Sequence, residues 1–184
     1  MDTKSAINAA LKVLGVAGLV GVTIVAPNAV QGLSKILRKS PARKANQNRL
    51  IAELKRQGLV HISQEGDARI YTITPAGIHR LQNLLIDEIE IILPRKWDKK
   101  WRLVTFDIPI KYSKQRMYFV DQLQSLGFVM LQRSQWVHPA PCLPEIEKIA
   151  SHYNVLRYCA LGEISLLDEQ STRRLLRRYP ALST

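Results

Sequence analysis

The sequence predicts an α+β chain built from two small units, on three observations. The 184 residues change pattern near Leu93-Pro94, where a helical periodicity stops and a basic stretch bearing two tryptophans, Arg95 to Trp101, begins. Before that point, helical segments lead into two alternating strands around a glycine turn. After it, strands and helices follow the order β-α-β-β-α-β. The expected units are therefore 1–94 and 95–184.

In the first unit, Val13 to Ser34 carries no charge and raises the question of a membrane span or a signal sequence. Pro27-Asn28 cuts the apolar part to Val13–Ala26, fourteen residues where a span needs about 20, and Ala26-Pro27-Asn28-Ala29 makes a poor cleavage site. The segment reads as a buried helix, with Gly15, Gly18 and Gly21 allowing a close neighbour; no membrane is expected. A second helix spans Asn28 to Lys39, with Val30, Leu33, Ile36 and Leu37 at helical spacing. Ser40-Pro41 opens a third, which buries Leu50, Ile51 and Leu54 and ends at Gly58. LVHIS and RIYTI then alternate around Gly66 as a hairpin. Thr74-Pro75 caps a long helix striped with Ile78, Leu81, Leu85, Ile89 and Ile92.

In the second unit, WRLVTFDIP alternates Leu103, Thr105 and Asp107 with Val104, Phe106 and Ile108, and Pro109 closes the strand. Ser113 is the expected cap of a helix with Phe119, Val120, Leu123 and Leu126 on its apolar face, stopped by Gly127. FVMLQ and SQWVHP form one bent strand or a tight pair. Pro144 starts a helix striped by Ile146, Ile149, Ala150 and Tyr153, and VLRYCALGEI is the last strand. This is the order of a ferredoxin-like sandwich, two helices on one face of an antiparallel sheet, and its other face is expected to be uncovered and to want a partner. Asp168 caps a short final helix bearing Arg173, Arg174, Arg177 and Arg178. Trp97 and Trp101 are expected to pack between the two domains rather than to stack on bases.

Lys and Arg number 27 against 15 Asp and Glu, a formal +12 that favours phosphate or anionic lipid as a counterpart. Three helices followed by a two-stranded wing is the order of a winged helix-turn-helix, whose last helix before the wing enters the major groove of double-stranded DNA. Here that helix is the basic one, since Lys35 to Arg56 holds eight Lys and Arg against one acid, Glu53. Arg43, Lys44, Asn46, Gln47 and Arg49 are the expected base readers, because amides pair bidentately with adenine and guanidinium with guanine. Lys55, Arg56 and Arg69 on the wing are the expected phosphate contacts.

The stretches KWDKKWRLVTFDIP and LGFVMLQRSQWVHPAPC, with the helix between them and a closing strand, resemble the middle domain of the phenylacetate-degradation repressor family (PaaX). Arg43, Arg49-Leu50, Gly58-Leu59 and Tyr71-Thr72-Ile73-Thr74-Pro75-Ala76-Gly77 are similar to that family's N-terminal DNA-binding module. The resemblance covers about residues 40 to 165. It implies a homodimeric transcriptional repressor. Full-length members are expected to carry a further C-terminal region, outside the part of the family that residues 40 to 165 resemble. The same domain resembles the small CRISPR adaptation nuclease subunit, in which strand-end aspartates of two subunits hold a divalent metal. That second resemblance makes Asp107 the position for Mg2+ or Mn2+ and for catalysis, if the protein is a nuclease, and makes a CRISPR integrase subunit a partner. The competing assignment for Asp107 is a strand-end residue accepting backbone hydrogen bonds from the Pro109–Ser113 loop. The nuclease resemblance also includes a serine-aromatic pair, here Ser134 and Trp136, for which the competing assignment is ordinary strand packing.

Other chemistries lack their residues. Cys142 and Cys159 form no Cys-x-x-Cys element, so neither a disulfide framework nor a zinc ribbon is expected, and a reducing, cytoplasmic setting fits. His138 and Cys142 lie four apart without the third and fourth ligands zinc requires. No G-x-x-x-x-G-K-[ST], G-x-G-x-x-G or G-x-S-x-G run is present. The expectation is a homodimeric regulator of double-stranded DNA, without cofactor and more a binding protein than an enzyme, with a metal-dependent endonuclease as the alternative.

Overall fold

A computed structural model describes residues 3–18, 24–25, 43–66 and 68–182. The chain divides into two compact units, Met1–Asp87 and Glu88–Thr184.

The first unit holds α1 (Thr3–Gly18), β1 (Ile24–Val25), α2 (Arg43–Arg56), β2 (Val60–Glu65), β3 (Ala68–Ile73) and α3 (Pro75–Asp87). α1 corrects the expected Val13–Ala26 helix, starting ten residues earlier. Ile7, Ala10, Leu11 and Leu14 are buried at positions 0, +3, +4 and +7, so an amphipathic period, rather than the uninterrupted apolar run, defines the helix. The β-branched residues beyond it suit a strand, and Ile24 and Val25 pair antiparallel with Tyr71 and Ile70. They make a third strand in a sheet of order β1-β3-β2. The expected Asn28–Lys39 helix lies outside the described residues.

β2 and β3 form the expected hairpin, with Glu65 opposite Ala68 and Gly66 at φ +58°, the left-handed conformation a two-residue turn requires. Leu50, Leu54, Leu59, Val60 and Tyr71 join the α1 residues in one core. A Cβ on Gly15 would overlap the Leu81 side chain, which is the close approach of α1 expected from its glycines. Thr74 caps α3 as expected: its hydroxyl accepts from the Gly77 N–H at 3.1 Å and donates to the Gly58 carbonyl at 2.5 Å, tying the end of α2 to the start of α3. The long stripe of α3 is not seen. The helix ends at Asp87, short of Ile89 and Ile92, and turns Gly77, Leu81 and Leu84 inward while Ile78 and Leu85 stay exposed.

The second unit holds β4 (Trp101–Phe106), α4 (Ser113–Ser125), β5 (Val129–Gln132), β6 (Gln135–His138), α5 (Leu143–His152), β7 (Cys159–Ile164) and α6 (Glu169–Leu176), with short 3-10 turns at Ile110–Tyr112, Leu156–Tyr158 and Pro180–Leu182. The sheet order is β5-β6-β4-β7, antiparallel throughout, as a ferredoxin-like β-α-β-β-α-β chain requires. Ser113 is the first helical residue rather than the cap; Tyr112 precedes it with no side-chain cap bond. Asp168 caps α6 as expected, accepting from the Ser171 N–H at 2.8 Å.

One sheet face carries Val104, Phe106 and Trp136 among the buried residues Phe119, Leu123, Ile146 and Ile149 of α4 and α5. Phe106 and Phe119 meet edge to face at 5.6 Å. The opposite face is not left uncovered. α6 lays Leu175 and Leu176 on it, and Tyr179 follows, in a cluster with Trp101, Leu103, Val129, Leu131, Val137 and Ile164. The Tyr179 hydroxyl donates to the Gly127 carbonyl at 2.6 Å, with the Val137 carbonyl at 3.3 Å. Trp97 and Trp101, expected to pack between the domains, both join this cluster within the second unit, their rings 4.9 Å apart.

Candidate nucleic-acid interface

α2 presents the basic surface. Leu50 and Leu54 turn inward, and Asn48, Arg49, Ala52, Lys55 and Arg56 stay exposed. Arg43, Lys44, Asn46 and Gln47 lie in the first two turns of this helix, whose backbone places position 46 on the stripe of 49, 53 and 56, and position 47 on that of 50 and 54. Arg69 sits on β3 directly opposite Gln64, three residues from Gly66.

The exposed cations are not equivalent. Arg56 is engaged by Glu53 through two bonds, Nε to Oε2 at 2.8 Å and Nη2 to Oε1 at 2.5 Å. Arg56 and the Gln57 amide hold the Glu53 carboxyl down at about 2. A phosphate at Arg56 must compete with that carboxylate, whereas Arg49 and Lys55 have no ion pair among the described residues.

A polar relay that sequence reasoning missed supports the helix from behind. Arg80 on α3 donates to the Asn8 amide oxygen of α1 at 3.0 Å and to the Gln57 amide oxygen at 3.1 Å, and Gln57 donates to Glu53 at 2.6 Å. One guanidinium thus links α1, α3 and the end of α2. A single arginine in an otherwise mixed helix carries no sequence signal for that role.

In the second unit, Asp107 follows β4 and is exposed. Its backbone N–H donates to the Tyr158 carbonyl at 2.9 Å, and the preceding N–H, of Phe106, donates to the Ser134 carbonyl at 3.1 Å. The bonds expected from the 109–113 loop do not form. The Tyr112 N–H goes to Pro109 and the Ser113 N–H to Ile110, because the loop closes on itself as a 3-10 turn. Among the described residues the Asp107 carboxylate has no hydrogen-bond or ion-pair partner. Beside it the Tyr112 and Tyr158 rings lie 5.5 Å apart, with Lys111 over the Tyr112 ring at 5.2 Å. A hydrogen bond with Tyr112 raises the Tyr158 phenol above its usual range. No three His, Cys, Asp or Glu side chains converge on a metal position among the described residues. Trp136 is buried in the sheet, and Ser134, at φ +62°, forms the turn between β5 and β6.

His138 and Cys142 are structural. The His138 Nδ1 accepts from the Ala140 N–H at 3.1 Å and lies 3.9 Å from the Cys142 sulfur. Burial, with the Arg102 charge nearby, pushes the histidine down to about 4, and burial raises the Cys142 thiol to about 12. Both are neutral at pH 7, and the thiol is a poor nucleophile. Arg102, 4% exposed, is held by both oxygens of Asp98 at 2.7 and 2.9 Å, by the carbonyls of Lys100 and Pro139, and by Glu163 at 3.4 Å. This network fastens the 97–100 loop to the sheet, and its arginine holds the Asp98 carboxyl down at about 2.

The second unit is thus a four-stranded α+β domain with helices on both faces and a carboxylate at the end of its first strand. Residues 94–176 match the family described as the PaaX protein central Cas2-like domain. The match lies within the second unit, covers less than half of the 184 residues, and makes that unit similar to the PaaX central domain. No curated protein matches the chain. No helix among the described residues is long and apolar enough to cross a membrane.

Proposed function

We propose that the chain is a homodimeric, sequence-preferring regulator of double-stranded DNA, acting in the cytoplasm as a repressor. In this reading the first unit is a winged helix-turn-helix and the second supplies the symmetric dimer. The observation that carries it is a basic helix, α2, packed directly before a two-stranded hairpin on one core, in a chain whose other unit is a PaaX-type central domain. Arg43, Lys44, Asn46, Gln47 and Arg49 read bases in this account; Lys55, Arg69 and, against Glu53, Arg56 hold phosphates. No cofactor is needed.

The test is a mobility-shift series on duplexes of different sequence at several salt concentrations. Replacing Asn46 and Gln47 together by alanine should abolish sequence preference. Lys55→Ala should weaken binding to all duplexes and lower the salt slope by about one unit. Wild-type protein that binds every duplex alike would refute the reading.

The exposed Asp107 carboxylate favours a second reading, a metal-dependent endonuclease in which two such carboxylates hold Mg2+ or Mn2+ across a dimer axis. Incubation with single- and double-stranded DNA and RNA, with either metal, beside Asp107→Asn, decides it: cleavage that survives the substitution rejects Asp107 as a ligand. Nothing beyond the description of the matching domain supports a CRISPR integrase partner, and none is proposed.

A further inference from the structure

The arginines of α6 and of the turn that follows it take no part in the proposed winged-helix contacts. The helix is amphipathic in a one-sided way. Leu175 is fully buried against the sheet, Leu176 and Tyr179 extend that contact, and Arg173, Arg174, Arg177 and Arg178 all face outward. Helical bonding runs past Leu176, since the N–H groups of Arg177 and Arg178 donate to the carbonyls of Arg173 and Leu175. Arg173 and Arg177 therefore share one stripe, and Arg174 and Arg178 the next.

Two of the four have structural partners. Arg173 is paired with Glu169, and Arg174 donates to the Leu131 carbonyl of edge strand β5 at 2.6 Å. Arg177 and Arg178 make no side-chain ion pair or hydrogen bond among the described residues. Like charges four apart on a helix repel, by a few tenths of a kcal/mol per pair. α6 contains a single acid, Glu169, and the adjoining Asp168 carboxylate is occupied in capping. The fold of the second unit is secured by Leu175 and Tyr179 on the inner side, so it does not account for the two outer guanidiniums. Arg133, exposed in the turn two residues beyond Leu131, adds a cation at the end of β5 that Arg174 contacts.

We propose that Arg177 and Arg178 form a second, sequence-independent contact to the sugar-phosphate backbone of double-stranded DNA. The site rests on the DNA-binding reading above and adds to it an interface on the PaaX-type domain. Guanidinium presents a planar fork that takes phosphate oxygens bidentately, and two adjacent unpaired forks on a rigidly anchored helix are arranged for a polyanion rather than for a single carboxylate.

The experiment uses the full chain and a labelled 30-base-pair duplex of random sequence, with binding followed by fluorescence anisotropy from 50 to 300 mM KCl. Replacing Arg177 and Arg178 together by glutamine should lower the slope of log K against log salt by about 1.8, two phosphates at 0.9 each. It should leave the urea midpoint of the tryptophan signal unchanged. A double lysine variant should recover most of the slope. An unchanged slope in the glutamine variant overturns the proposal, and so does a loss that tracks a fall in urea midpoint, which would make the arginines structural. Competition by poly-glutamate as effective as by duplex would make the patch a general acidic-polymer site and overturn the DNA assignment. Sequence preference that persists while the slope is unchanged leaves the winged-helix reading standing; wild-type protein that binds no duplex removes both.

Discussion

Replacing Leu175 by alanine tests whether α6 is an integral layer of the second unit. Leu175 is fully buried and touches the cluster of Trp101, Val137 and Tyr179 on the sheet face opposite α4 and α5. Removing a fully buried leucine side chain costs about 3–5 kcal/mol, combining lost transfer energy with the cavity left behind. An eight-residue helix cannot persist alone in water, so α6 has no stable detached form that would absorb the loss. Trp97, Trp101 and Trp136 are the only tryptophans and all belong to the second unit, so fluorescence during urea unfolding reports that unit alone. With a urea slope of about 1–1.5 kcal/mol per molar, the midpoint should fall by about 2 M or more. Leu166→Ala, at a residue 87% exposed, should leave it within about 0.3 M of wild type. A midpoint shift below about 0.5 M for Leu175→Ala would refute the assignment of α6 to the sheet.

Acid should weaken the same unit through His138. Its neutral ring is favoured in the fold, with a pKa of about 4 against about 6.5 when unfolded, so its contribution is complete above pH 6.5 and is lost as pH falls toward 4, by up to about 3 kcal/mol. Urea midpoints measured between pH 7 and 4 should fall over that window, and His138→Gln should flatten the dependence. Asp98→Asn, which leaves Arg102 buried without its bidentate carboxylate, should destabilise the second unit more than Lys100→Met, which removes only an exposed pair with Glu163; equal midpoints for the two would contradict the network. In the first unit, Gly77→Ala should destabilise despite the helix propensity of alanine. Its Cβ would strike the Leu59 carbonyl oxygen, itself bonded to the Thr74 N–H, and thermal unfolding followed by circular dichroism should show a lower Tm.

The β-α-β-β-α-β order was legible because its strands alternate and its helices end at residues such as Gly127, whose φ of +87° suits glycine. The hairpin around Gly66 and the Thr74 cap were legible for the same reason: each is decided within a few residues. The first helix was misplaced because apolar run length is a poorer guide than period; Ile7, Ala10 and Leu11 carry the period among polar neighbours. The basic residues of α2 were all visible, but not that Glu53 occupies Arg56, nor that Arg80 braces Gln57 from another helix.

By itself, then, the sequence determined the local elements, the family resemblance and the positions of charge, since capping, periodicity and turn chemistry act over one or two turns of chain. The tertiary structure decided which face each amphipathic element covers. An apolar stripe states that a helix must be buried, but the partner that buries it depends on residues distant in sequence, as Leu175 against Val137 or Trp101 against Tyr179. That choice turned a sheet face expected to be open into a packed layer, drew two tryptophans into it, and left the arginines of α6 facing solvent.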